Sequence, residues 1–249
     1  ENKDFPVIQG VVVLNDSRTG EIKAILEGSF VTGIRTGAVG GSAVRHLAKE
    51  SASKLAIIGT GVQGLYQAAA ACSQRPISEI YLYNRSPNKI PAFINKLQEW
   101  VGDQVQIHAS PTVEDAVANT DIVITATRSM DPVLPNDKAL LEDKLIIGVG
   151  SYQPTMQEFS QAVYELVDNI YVDTEHAIEE SGDLLKPLEQ GWIERDSIKR
   201  MSALIAAKTK PKIEGTAVFK SVGMALFDVV VANAIYQKAS DKKVGTTLI

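Results

Sequence analysis

The sequence predicts an α/β fold, a doubly wound parallel sheet with helices on both faces, preceded by a β-hairpin. Three observations lead there. Short runs of Val, Ile and Leu without polar alternation recur through the middle of the chain, as strands buried on both faces require. Segments with helical spacing separate them, and that alternation specifies parallel strands. Residues 7–27 differ: they read as two strands about the turn Asn15-Asp-Ser-Arg-Thr-Gly20, a hairpin that needs further strands to be stable.

The bulk properties are those of an ordinary globular chain: 249 residues, 45% hydrophobic, 22% charged, mean hydropathy −0.01. A net charge of −5 with no basic run argues against nucleic acid as a partner. No apolar stretch approaches the roughly 18 residues of a membrane span, and neither a membrane span nor a signal peptide is expected. Cys72, the single cysteine, cannot form an internal disulfide and reads as a small buried hydrophobe. A cytoplasmic setting is expected. The chain opens on Glu1 directly before a strand, and so reads as the later part of a longer protein.

In order, strands are expected at 7–16 and 21–27, then a helix over 32–48 that opens on small residues. Those small residues allow close approach by a helix or a cofactor. Arg35 lies at its start, where a guanidinium either forks onto a carboxylate or makes a surface salt bridge. A buried strand over 54–58 runs into Gly59-Thr-Gly61-Val-Gln-Gly64, and an alanine-rich helix follows. Strands are expected at 80–83, 105–108, 121–125, 144–148 and 169–172. Helices are expected at 88–100 and 113–118, from Glu175, from Ser197, and over 222–238. A loose tail, 240–249, closes the chain.

The glycine segment carries the chemistry. Gly59 lets the chain turn off the strand, Gly61 lets bare backbone approach a pyrophosphate, and Gly64 lets the helix pack on the strand. The helix N-terminus presents free N–H groups to the phosphates, with Thr60, Val62 and Gln63 beside them. Gly-x-Gly-x-x-Gly alone is a weak signal; the strand before it and the helix after it are the context that counts. A Rossmann-type dinucleotide site follows. The next strand ends in Asn84-Arg85-Ser86 where a preference for NAD calls for an acid. Arg85 there suits a 2′-phosphate, so NADPH is expected over NADH, with NADH possible; pairing of Arg85 with a surface acid is the alternative. The loops at the sheet's carboxyl edge, with Ala126, Thr127 and Ser129 and with Val149, Gly150 and Ser151, are where cofactor and substrate should meet.

Several segments occur here in one order: Val11-Val-Val-Leu-Asn-Asp with Thr19-Gly20, Arg35-Thr-Gly-Ala38, Gly59-Thr-Gly-Val-Gln63, Ala126-Thr127, Gly148-Val-Gly-Ser151 and Phe219-Lys-Ser-Val-Gly223. The set resembles the ornithine cyclodeaminase/mu-crystallin family over nearly the whole chain. The resemblance implies a homodimer. It implies a substrate and dimerisation domain from residues 1–41 plus 217–249, with a nucleotide domain over 42–216. It implies that Arg35 matches the arginine gripping the substrate's α-carboxylate, and that a further arginine and a lysine for this carboxylate lie upstream of the hairpin, outside this sequence. It adds Thr36, Val222 and Gly223 to the cofactor set.

One departure is informative. The cyclodeaminases and related alanine dehydrogenases carry an Asp where Ser151 stands here. Oxidising an amine needs a base, whereas reducing a protonated imine needs mainly hydride delivery and orientation. Ser151, the second candidate catalytic residue beside Arg35, therefore points to reduction of a cyclic imine. Δ1-Pyrroline-2-carboxylate to L-proline is expected, with Δ1-piperideine-2-carboxylate to L-pipecolate as the homologous reaction. The rivals are ornithine cyclodeamination with bound NAD and a non-catalytic NADPH- and small-ligand-binding protein.

No metal site is expected: His46, His108 and His176 have no second ligand at metal spacing. Glu179, Glu180 and Asp183 read as a solvated helix end. Lys220 and Ser221 lie beside the nicotinamide by resemblance, while a helix start capped by Ser221 explains them equally.

Overall fold

The computed structural model describes residues 9–207 and 214–247. The chain divides into two compact units, Glu1–Thr36 with Gly223–Ile249, and Gly37–Val222. The expected first strand has residues 7 and 8, and the expected tail has 248 and 249, outside the described residues.

In the first unit, β1 (Val11–Asn15) and β2 (Ile22–Glu27) pair as an antiparallel hairpin with Val13 opposite Ile25. Asp16 closes the turn by accepting from Arg18 N at 2.9 Å and Thr19 N at 3.1 Å. Helix α1 (Gly28–Leu47) follows, and the unit boundary falls within it. The chain's last helix packs on β1, and Val11, Val13, Ile22, Ile25, Leu226, Val229 and Val230 stay exposed.

The second unit alternates as expected: β3 (Lys54–Ile58), α2 (Val62–Gln74), β4 (Glu79–Tyr83), α3 (Ile90–Val101), β5 (Gln106–Ala109), α4 (Val113–Val117), β6 (Ile122–Thr125), α5 (Lys138–Leu141), β7 (Leu145–Gly148) and α6 (Gln161–Tyr164). Then come β8 (Ile170–Val172), α7 (Ala177–Glu180), α8 (Gly182–Glu189), β9 (Ile198–Arg200), α9 (Met201–Ala206) and β10 (Ala217–Lys220), before α10 (Ala225–Asp241) in the first unit. The sheet runs β5-β4-β3-β6-β7-β10-β8-β9 with every pair parallel.

Side-chain alternation builds a core on each face. Leu55, Ile57, Ile80, Leu82, Ile122 and Ile124 pack with α2 and α3 on one side. Ala56, Ile58, Val123, Ile146 and Val218 pack with α4, α5 and α6 on the other. On the first face, the second half of α1 lies against α2 through a glycine edge. A Cβ at Gly37 would stand 2.8 Å from the Tyr66 carbonyl oxygen, and one at Gly40 would collide with Gln67 Oε1. Small residues here thus admit a helix. Arg75 fastens the same joint, donating to the carbonyls of Lys49, Arg45 and Ala48 at 2.8–2.9 Å and so capping the C-terminal end of α1.

Two expectations change. The segment from Ser197 first forms strand β9, and only then helix α9. The segment from Ala217 is a central strand, so the nucleotide unit extends to Val222 instead of ending at 216, and α10 starts at Ala225 instead of 222. All four residues of β10 are buried, because strands cover both its edges and helices both its faces. Such a short apolar run carries no periodicity to distinguish it from the start of the following helix. Among the described residues, no helix is long and apolar enough to cross a membrane.

Candidate functional site

Strand order reverses between β3 and β6, and the glycine turn sits at that switch point, where ligands of open α/β sheets bind. Gly59 has φ +106°, a conformation side chains resist, and a Cβ there would stand 2.7 Å from the Ala126 carbonyl oxygen. At Gly64 a Cβ would collide with the Gly59 carbonyl, so the helix closes onto the strand only with glycine. Gly61 differs: a Cβ there would meet nothing within 4 Å. It is the N-cap of α2, and no side chain caps the helix. Thr60 Oγ1 and Gln63 Oε1 are buried without a hydrogen-bond partner among the described residues. Open backbone at an uncapped helix end, with the Thr60 hydroxyl beside it as a further donor, fits a pyrophosphate.

The edge of β4 is tied to this turn. Asn84 Oδ1 accepts from Thr60 N at 3.3 Å, and its amide donates to the Ser86 carbonyl at 2.9 Å. Asn84 thus holds the turn and the loop together without a negative charge. Arg85 is exposed and makes no ion pair among the described residues, so the surface-acid alternative finds no partner. Val62 is exposed at the start of α2.

Beneath the other edge loops lies a buried ionic cluster that sequence reasoning missed. Lys220, Glu158, Asp183, Ser151 and Ser181 have no exposed surface. Lys220 Nζ, at the end of β10, is 3.0 Å from Asp183 Oδ2 and 3.9 Å from Glu158 Oε2. Glu158 Oε1 accepts from Thr127 N at 2.7 Å and Thr127 Oγ1 at 2.8 Å. Its Oε2 accepts from Gly150 N at 2.8 Å and Ser151 N at 3.2 Å. Asp183 Oδ1 accepts from the backbone of Glu158 and Phe159 at 2.7 and 3.0 Å. Every neighbour of these carboxylate oxygens is a donor, so both groups serve as acceptors. Burial pushes the Glu158 carboxyl above the ordinary carboxylate range; Lys220 opposes this and the charge of Asp183 adds to it.

The cluster corrects three expectations. Asp183 is no part of a solvated helix end; it turns inward at the first turn of α8 to meet Lys220. Ser221 caps no helix: its hydroxyl donates to Asp173 Oδ2 at 2.7 Å, and Val222 N lies 3.4 Å from Asp173 Oδ1. Ser151, expected beside Arg35 as a candidate catalytic residue, turns inward instead. Its hydroxyl donates to the Met156 carbonyl at 2.8 Å and stands 3.0 Å from Ser181 Oγ, with no surface to offer a ligand. The hydroxyl's proton and lone pair are thus spent inside the unit. Ser129 N lies 3.4 Å from Thr127 Oγ1, and Val149 N extends the sheet by donating to the Thr125 carbonyl.

In the first unit, Arg35 Nε lies 3.5 Å from Asp228 Oδ1 on α10, so the salt-bridge alternative has a named partner. Gly223, at φ +84°, packs against this guanidinium so closely that a Cβ would collide with it. Thr36 Oγ1 donates to the Thr32 carbonyl at 2.8 Å, within α1. Among the described residues, no group of three or more His, Cys, Asp or Glu could hold a metal ion.

The strand order, the glycine turn and the uncapped helix end define a dinucleotide-binding α/β protein. The chain belongs to the ornithine cyclodeaminase/mu-crystallin family, whose model matches residues 1–243. It is 38% identical over 251 residues to a Δ1-pyrroline-2-carboxylate reductase of Bacillus cereus, covering 98% of this chain and 76% of that protein. Among solved structures it is similar to Thermococcus litoralis Δ1-pyrroline-2-carboxylate reductase in complex with NADH and L-proline, at TM-score 0.89 and 30% identity, covering 98% of this chain and 76% of that one. An archaeal alanine dehydrogenase dimer with bound NAD matches at TM-score 0.86 and 26% identity, covering 99% and 76%.

The open notch at Gly61 separates folding from binding. Gly61→Val should leave the unfolding midpoint within a few degrees of wild type yet abolish the fluorescence change on adding NADPH; retained binding would show that the notch does not receive the pyrophosphate.

Proposed function

We propose that this protein reduces Δ1-pyrroline-2-carboxylate to L-proline with NAD(P)H, and the six-membered Δ1-piperideine-2-carboxylate to L-pipecolate by the same chemistry. The observation that carries the reading is the open backbone of Gly61 at the uncapped start of α2, in a chain 38% identical to a reductase of that substrate over nearly its whole length. A reduced nicotinamide supplies the hydride. The protein's own part is to bind and orient: the N-terminus of α2 takes the pyrophosphate, and the loops after β6 and β7 receive the nicotinamide end. Arg35 takes the substrate's α-carboxylate, with Asp228 holding its Nε side. The burial of Ser151 is consistent with reduction, since no hydroxyl there is free to act as the base that amine oxidation requires.

The test is to mix purified protein with NADPH and Δ1-pyrroline-2-carboxylate and follow loss of the reduced cofactor's absorbance. Rapid oxidation is expected; ammonia release from ornithine with catalytic NAD, or binding without turnover, would replace the reading with the lyase or the binder. In the same assay Arg35→Ala should raise KM for the imine by about ten- to a hundredfold, the equivalent of about 1.5–3 kcal/mol for one charge-assisted contact. An unchanged KM would leave Arg35 as a partner of Asp228 alone.

Arg85, exposed and without an ion pair among the described residues, supports a preference for NADPH over NADH. Arg85→Ala should weaken NADPH binding by about tenfold and leave NADH unaffected; equal effects on the two would remove the preference. The exposed apolar residues of β1, β2 and α10 support a homodimer, as does the dimeric state of the archaeal relative. Light scattering should give twice the single-chain 26.9 kDa, and a single-chain mass would overturn this.

A further inference from the structure

We propose that Glu158 is a positioning residue for the nicotinamide half of the cofactor, a role resting on the reductase reading above. Its carboxylate ties the loop after β6 to the start of the loop after β7: Thr127 donates twice to one oxygen, and Gly150 and Ser151 donate to the other. The joint is one residue away from the glycine turn, because a Cβ at Gly59 would stand 3.1 Å from Thr127 Cγ2. A line of contact therefore runs from the turn through Thr127 and Glu158 to the end of β7. Gly150 marks how closely the two loops are drawn together: a Cβ there would collide with both the Thr127 backbone and Glu158 Oε1.

The charge matters as well as the shape. Both oxygens of Glu158 face backbone N–H groups, which an amide in either orientation cannot match. With its nitrogen toward Thr127, a glutamine could still donate to the hydroxyl, but Thr127 N–H would lose its acceptor. Lys220, fixed by Asp183, supplies the positive charge that makes a carboxylate tolerable there. None of these groups reaches Asn84 and Arg85 at the end of β4, where the adenosine half would lie.

That asymmetry is the test. Glu158→Gln should raise the dissociation constant for NADPH by about tenfold, the equivalent of one lost charge-assisted hydrogen bond, while leaving that for adenosine 2′,5′-bisphosphate unchanged. Unchanged affinity for both probes, or a parallel loss of both, would overturn the proposal, since a merely structural residue does not distinguish the two halves. Should Glu158→Gln fail to fold, Thr127→Val decides, as it removes one of the four bonds, along with the longer Ser129 N contact to the same hydroxyl; it should show the same split in smaller measure. Where both variants fold, adding Thr127→Val to Glu158→Gln should cost little more, and additive losses would count against a shared path. Wild-type protein that binds no NADPH would instead refute the reductase reading itself.

Discussion

A lysine with no exposed surface at the end of the sheet's inner strand is the constraint on which the rest depends. An ammonium group there is tolerable only if opposite charge and hydrogen-bond acceptors surround it. Lys220 therefore requires Asp183 and Glu158, and these in turn require donors. The donors are the backbone of Thr127, Gly150, Ser151, Glu158 and Phe159, so the ammonium indirectly dictates the course of several loops. Removing one member of such a set characteristically costs about 3–5 kcal/mol, because the charge left behind stays buried. Ser181 and Ser151 continue the network, and Tyr164 donates to the Asp183 carbonyl at 2.8 Å.

The two ends of the sheet's carboxyl edge work by opposite electrostatic means. At the glycine turn, open backbone and an uncapped helix end leave partial positive charge facing outward. Beneath β6, β7 and β10, full charges are sealed away from water and spent on one another. The first arrangement suits an anion that comes and goes; the second suits a surface that must not move. Asn84 belongs to the first arrangement, a neutral side chain that ties the turn to the β4 loop without repelling phosphate.

Legibility from sequence followed the range of the interactions concerned. The strand, turn and helix around Gly59–Gly64 are specified by neighbours, and they stand where periodicity and the glycine spacing indicate. Most strands of the sheet are equally plain, since each is a run of apolar residues between turn signals. β10 is not, because only the pairing with β7 and β8 distinguishes Ala217–Lys220 from the start of a helix. Asp183 looks solvated beside Glu179 and Glu180 until the fold brings Lys220 to it from 37 residues away. Glu158 follows no motif, and its importance rests on donors supplied by three separate segments. Ser151 was placed by its neighbours on the correct loop, but the direction of its hydroxyl is set by Met156 and Ser181.

The position of β10 has a consequence for how the sheet holds together. β8 touches the sheet only through β10, and β9 only through β8. The segments that form β8 and β9 therefore belong to the sheet only through a strand that follows both of them in the sequence. The nucleotide turn is built from β3 and α2, adjacent in sequence, whereas the β8–β9 side of the sheet depends on β10, beyond both. The continuity of the eight-stranded sheet therefore rests on one four-residue strand set between β7 and β8.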